Sequence, residues 1–318
     1  MANPALNPAQ KKIPVARVNG VVISQYQVEA GLAVMLEPYK DTKGKVRLMQ
    51  AEQYAARKHV IENLITRELL YQDGCSRGIE ATGTEVHHGM QAAVDEHGSE
   101  QQFKAALMLQ GLTIEEYRAS VVRDIIINKV AASVVEGKRK PVTDEDARAY
   151  YDAHKDEMQG PELRRVLHLM IPLDRYAGQD AERHARGRLE QLRTPDAFRK
   201  IFKARTARTG GIITEDFGFI SRSGRFHPLL ESIAFRSPAG EPSRVIRTED
   251  GLHVIMVAAI LEEGKRWPFE LIKDELKKKI YEERSVALLN AHVEKLRRKA
   301  AIDVYDRIAD SKLQQEGQ

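Results

Sequence analysis

The chain has 318 residues, with 50 Lys and Arg against 46 Asp and Glu, for a net charge of +4. A balance this small does not by itself indicate a nucleic-acid partner. Hydrophobic residues make up 42% and charged residues 30%, an ordinary soluble composition, and the length suggests two or three domains. The single cysteine, Cys75, excludes an internal disulfide, and no apolar run nears the ~20 residues of a membrane-spanning helix.

Residues 1–18 contain no apolar signal-type run, as expected of a cytoplasmic chain or of one whose signal lies outside this sequence. "VARVNGVVIS" (15–24) places two β-branched runs around Asn19-Gly20, a hairpin signal. Ser24 and Gln27 form a capping-box pattern that starts a helix at Gln25. Val60, Ile61, Leu64, Ile65 and Leu69 recur at helical spacing through 51–73, with Gly74 expected just past the helix end. Helices follow near 84–97 and 99–110, and Thr113 with Glu116 caps a long one to about Val135. Thr143 caps a helix over 144–158, and Gly160-Pro161 marks a domain boundary. Then the period changes: a strand "LRRVLHLMI" (163–171), helices over 180–193 and from Thr194-Pro195, a short strand "DFGFI", a helix "HPLLESIAF" (227–235), and two strands within 237–260. Pro268 opens a long helix to about 300, and 301–306 reads as a closing strand. The fold class is α+β.

Two strands each carry one histidine among apolar residues. Alternation sets His168 on one face with Val166 and Met170, and His253 with Ile255 and Val257. A buried imidazole needs partners for both nitrogens, so the simplest reading of each is a satisfied core histidine.

Beyond that, residues 161–261 resemble a parvulin-type (PpiC-like) peptidyl-prolyl cis/trans isomerase domain. The resemblance is carried in order by "VLHLMI", "DAFRKIFKARTARTGGIITEDFGFISR", "HPLLESIAF" and "GEPSRVIRTEDGLHVIMV", of which the last is the most specific. It implies a four-stranded antiparallel sheet surrounded by helices. It also implies that His168 and His253 pair at the centre of the sheet, that Thr248 joins them, and that Phe217, Phe226, Leu230 and Met170 bind the substrate. For Phe217, ordinary core packing is the competing role. Arg208 stands where active parvulins usually carry Cys or Asp facing the reacting carbonyl, and Glu215 replaces a loop glycine. Arg208 favours the alternative of a catalytically degenerate domain kept for binding.

"PVARVNGVVISQYQVEAGL", "VIENLITRELLYQDGCSRGIEATGTEV" and "GLTIEEYRASVVRDIIINKVAASVV" resemble the helical domain of SurA-type chaperones. The implied organisation is a flexible 1–12, a helical chaperone domain over 13–159, the parvulin domain over 161–261, a helix and strand over 262–306 that pack on the N-terminal domain, and a tail over 307–318. The implied function is isomerisation of X–Pro bonds in unfolded or nascent proline-containing polypeptides, without a cofactor. By the same resemblance the compartment is the periplasm or cell envelope, with a cytoplasmic maturation factor as the alternative. Met35, Met49, Met90 and Met108 are candidates for adaptable client contacts, although methionine at helical spacing is more often core. A metal site on His168 and His253 ranks low, because no H-E-x-x-H or C-x-x-C spacing occurs. Nucleic-acid binding through "KDELKKKI" and "EKLRRKA" also ranks low, because interleaved acids suit i,i+4 pairs on a solvated helix.

Overall fold

A computed structural model describes residues 8–41, 44–137, 140–172, 179–203, 211–222 and 226–306. The chain divides into two units, Met1–Pro141 with Glu282–Gln318, and Val142–Tyr281.

The first unit begins with the hairpin that Asn19-Gly20 encodes. Strands β1 (Pro14–Val18) and β2 (Val21–Ser24) flank a turn whose two central residues have φ of 48° and 88°, the geometry of a two-residue hairpin loop. Helix α1 (Gln25–Leu36) starts on the reciprocal Ser24–Gln27 cap. Helices α2 (Gln50–Ser76), α3 (Gly83–Glu96), α4 (Glu100–Leu109) and α5 (Ile114–Glu136) follow, with Thr82 and Thr113 closing further capping boxes. Each box pairs two backbone N–H groups that the helix itself leaves without acceptors.

Gly74 is not the residue past the end of α2, as the sequence suggested; it lies inside the helix. A Cβ there would come within 2.5 Å of Ile126 Cγ2 and 2.9 Å of Val130 Cγ2, so the glycine lets α5 approach α2 closely. Gly78 takes the left-handed position after the helix, with φ of 67°, while Ile79 N–H donates to the Gly74 carbonyl at 2.9 Å.

The unit is completed from the far end of the chain. Strand β7 (Ile302–Val304) pairs antiparallel with β1, giving the order β2-β1-β7. Leu296, Ala300 and Ile302 pack on a core that includes Val18, Ile23, Val28, Ile61 and Ile65. The buried Arg57 guanidinium donates to Glu29 at 2.9 Å and to Asp306 at 2.8 Å. Met90 packs beside the Ala93–Phe103–Leu107 cluster, whereas Met35 is exposed, and Met49 and Met108 are 71% and 79% exposed.

The second unit opens with α6 (Asp144–Ala153), capped by Thr143. The helix stops short of the expected 158; His154 caps it, with its Nδ1 bonded to the Tyr150 carbonyl, and a 3-10 turn over Lys155–Glu157 follows. Ala147 and Tyr151 of α6 share a core with Leu261, Ile272, Leu276 and Ile280, although sequence reading set this helix before a boundary at 160. Strands β3 (Leu163–Pro172), β4 (Ile213–Ile220), β5 (Ile246–Arg247) and β6 (Gly251–Leu261) form an antiparallel sheet in the order β4-β3-β6-β5. One face, carrying Leu169, Ile171, Leu252, Val254 and Met256, packs against α7 (Gln179–Glu190) and α8 (Pro195–Lys203) through Leu189 and Phe198. The other face carries Val166, Ile255 and Val257 and packs against α9 (Pro228–Ala234) through Leu230 and Ala234. Helix α10 (Phe269–Arg297) belongs to this unit as far as Tyr281 and to the first unit beyond it. Its basic run is paired: Lys273 and Lys277 both meet Asp144, and Lys273 also meets Glu270.

Gly251 pairs with Pro172 of β3 and lies directly against that strand. A Cβ there would fall on the Ile171 carbonyl oxygen and lie 3.1 Å from Pro172 Cα, and strand backbone in a paired ladder does not yield cheaply. Gly251→Ala is expected to destabilise the sheet unit by about 1–3 kcal/mol, read as a lowered urea midpoint. Gly83→Ala, which meets nothing within 4 Å, is the control. Equal midpoints for Gly251→Ala and wild type would show that β6 moves away freely.

Candidate active site

The site lies on the α9 face of the sheet. In the β3–β6 ladder His168 stands opposite Ile255, and Met170 opposite His253. The two histidines are therefore diagonal neighbours on one face. Their rings stack at 5.1 Å with 16° between planes, and His168 Nε2 lies 2.8 Å from His253 Nδ1. Thr248, in the turn between β5 and β6, brings its Oγ1 to 2.7 Å from His253 Nε2 and accepts the Asp250 N–H at 3.2 Å. All three side chains are buried.

The partners favour one arrangement of the protons. Thr248 Oγ1 already accepts from Asp250, and its own hydroxyl proton is satisfied by donation to His253 Nε2. His253 then carries its proton on Nδ1 and donates it to His168 Nε2. The proton of His168 is left on Nδ1, a buried atom with no hydrogen-bond partner, 4.0 Å from the Glu215 carboxylate. The opposite arrangement would strand the Thr248 hydroxyl proton and turn a bare Nδ1 lone pair toward a carboxylate, which costs more.

The relay requires neutral rings, and burial keeps them so. His168 is lowered to about 4, chiefly by burial and then by its His253 neighbour. His253 is also lowered, first by burial and then by His227, with Asp250 opposing.

Above the pair lies an apolar corner. Phe217 stands 5.2 Å from the His168 ring and meets Phe226 edge to face at 4.7 Å. Both pack with Leu230 in the cluster under α9. Phe217 is presented by a bulge: Arg165 pairs with Phe219 and Leu167 with Asp216, so two residues of β4 oppose Val166. Gly218, in the bulge, has φ of 65°, and Asp216 holds it by accepting the Gly218 N–H at 2.9 Å and the Arg165 guanidinium at 2.7 Å. Helix α9 is set by Pro228 at its first turn and by Arg164, which donates to the Ala234 and Ser237 carbonyls, both at 2.7 Å.

His168, His253, Thr248, Phe217, Phe226 and Leu230 thus come together, with Met170 on the same face. Arg208 lies outside the described residues. Sequence reasoning missed one neighbour: His227 caps α9, its Nδ1 accepting the Leu229 N–H at 3.3 Å, and its proximity is one of the causes that lower His253. A histidine immediately before a proline at a helix start was the available signal. Among the described residues, no group of three or more His, Cys, Asp or Glu is placed to hold a metal ion.

Comparison with known proteins shows which family this sheet and the helical unit belong to. Residues 142–274 match the family model of the PPIC-type PPIase domain, and residues 5–131 that of the SurA-like N-terminal domain. This chain is a SurA-like N-terminal domain joined to a PPIC-type PPIase domain. Foldase protein PrsA of Clostridium botulinum is 23% identical over 94% of this chain and 90% of its own length. Chaperone SurA of Pseudomonas putida is 25% identical over 83% of this chain and 61% of its own length, so the match spans about three fifths of that chaperone. The crystal structure of PrsA from Bacillus subtilis is 19% identical over 84% of this chain and 94% of that one, with a TM-score of 0.42.

Because both histidines titrate lower in the folded chain than the ordinary 6.5, the unfolded chain binds more protons below that pH. Their contribution is fully present above about 6.5 and is lost as pH falls toward about 4, on the order of 3 kcal/mol for His168. Urea denaturation at pH 7.5 and 4.5 should show a smaller loss for His168→Gln than for wild type. An identical loss in both would assign the acid sensitivity to other groups.

Proposed function

We propose that this chain is a foldase: a helical chaperone module carrying an isomerase domain that acts on X–Pro bonds of unfolded or nascent polypeptides. The carrying observation is the buried Thr248–His253–His168 relay beneath an apolar corner of Phe217, Phe226 and Leu230.

Rotation about an X–Pro bond is opposed by amide resonance, a barrier of roughly 18–20 kcal/mol, and takes tens of seconds or more unassisted. No nucleophile is required. The apolar corner takes the proline ring and removes water from the amide, and a twisted amide with less charge on its oxygen is favoured there over the planar one. Each ~1.4 kcal/mol of that preference is worth about tenfold in rate. In this reading His168, His253 and Thr248 form the rigid floor of the pocket, and Phe217, Phe226, Leu230 and Met170 line it. By the resemblance described above, Arg208 takes the sequence position that active parvulins usually fill with Cys or Asp. A periplasmic or cell-envelope location belongs to the same proposal. Among the described residues no helix is long and apolar enough to cross a membrane. Exposed Met49 and Met108 are open to adaptable contacts with clients in the first unit.

Arg208 supports a second reading, a chaperone whose isomerase domain binds without catalysing. NMR exchange spectroscopy on proline tetrapeptides separates the two. The foldase reading expects wild type to accelerate cis/trans exchange, Phe226→Ala to lose about tenfold or more, and His168→Ala to lose nearly all of it. No acceleration by wild type, together with a gain in Arg208→Asp, would establish the binding-only reading.

A further inference from the structure

The carboxylates beside the corner are not equivalent. Asp216 is fully engaged: Arg165 and the Gly218 N–H hold it, and its pKa is lowered despite burial, with Arg165 as the main counterweight. Glu215, the residue before it, is not. Its register partner in the β3–β4 ladder is His168, and its side chain is 55% exposed. Its only ion-pair neighbour among the described residues is His168 Nδ1, at 4.0 Å. That neighbour cannot neutralise it, because burial and His253 keep the His168 ring uncharged at physiological pH. A second observation points to the same spot. His168, only 4% exposed, turns a buried and unpartnered ring nitrogen toward this carboxylate. A native fold rarely leaves such a polar atom without a use.

We propose that Glu215 is a specificity-determining residue of the isomerase site, selecting clients with a lysine or arginine immediately before the proline. This deepens the isomerase reading and depends on it for its catalytic readout.

The distances suit such a contact. A strand advances about 3.3 Å per residue, so Glu215 stands ~7 Å along β4 from Phe217, whose ring edges the corner. The residue before a proline is one planar amide away, its Cα at most ~3.8 Å from that of the proline. A lysine or arginine stem covers the remainder and leaves its charged head at the half-exposed rim. An aspartate or glutamate at the same position would meet Glu215 as a like charge. A half-exposed ion pair of this kind is worth up to about 1 kcal/mol, or about fivefold in specificity, and repulsion widens the gap between basic and acidic peptides. The preference must shrink with added salt, because the pair is open to solvent.

The test uses the full chain with three tetrapeptides, Ala-Xaa-Pro-Phe with Xaa as Lys, Ala or Glu. Exchange spectroscopy gives the acceleration, and peptide line broadening in the same samples gives binding. Wild type is expected to favour Lys over Glu by about fivefold or more. Glu215→Gln should bring the ratio near one, and Glu215→Lys should invert it. Ratios within each variant cancel any general loss of activity or fold. Equal handling of the three peptides by wild type overturns the proposal and leaves the isomerase reading standing, as does a preference that survives Glu215→Gln. Lys-selective binding without acceleration by any peptide overturns the isomerase reading and supports the charge selection. No binding of any peptide overturns both.

Discussion

The sheet unit is organised around one hydrogen bond, that between His168 Nε2 and His253 Nδ1. It forms only if β3 and β6 pair in a single register, since a slip of one residue would send one ring to the opposite face. It persists only if both rings are neutral, which burial in the sheet ensures. Everything above it inherits that placement. Phe217 rests against the His168 ring, Phe226 rests against Phe217, and α9 closes over both. The pocket is therefore positioned by a polar pair inside an otherwise apolar layer.

The segment before β5 shows how the neighbouring edge is finished. Gly240 and Ser243 donate backbone N–H groups to the Val257 and Ile255 carbonyls, and Ser243 Oγ accepts the Ile255 N–H at 3.1 Å while donating to the Arg244 carbonyl. A serine here does the work of a missing strand residue, which explains physically why a "GEPSRV" stretch precedes the histidine strand. The turn that follows places the Thr248 hydroxyl over His253 and brings Gly251 against β3.

Features written in neighbouring residues were readable from the sequence. The Asn19-Gly20 hairpin and the boxes at Ser24, Thr82, Thr113 and Thr143 depend on side chains within three residues of the backbone they serve. The histidine strands were readable by alternation, and their pairing by resemblance. What depends on distant residues was not. Gly74 looked like a helix terminator because its reason for being glycine is Ile126 and Val130, more than fifty residues on. The bulge at Phe217-Gly218 follows from the ladder to β3, which alternation within "DFGFI" does not disclose. His227 looked like a helix-start residue, and its influence on His253 arises only when α9 folds over the sheet.

The β1–β7 pairing sets an order on how this chain is made. Synthesis delivers β1 near residue 18 and its partner near residue 302, so this core is closed only after the unit between them has been made. Residues 142–281 emerge complete while the helical unit still lacks β7, Leu296 and Ile302, and the buried Arg57 still awaits Asp306. Domains generally fold as units as they are synthesised; here the inserted unit is available to fold before the one that surrounds it. Until residues 296–306 arrive, β1 lacks its β7 partner and the apolar residues that cover the core beside it, the condition from which a foldase protects other chains.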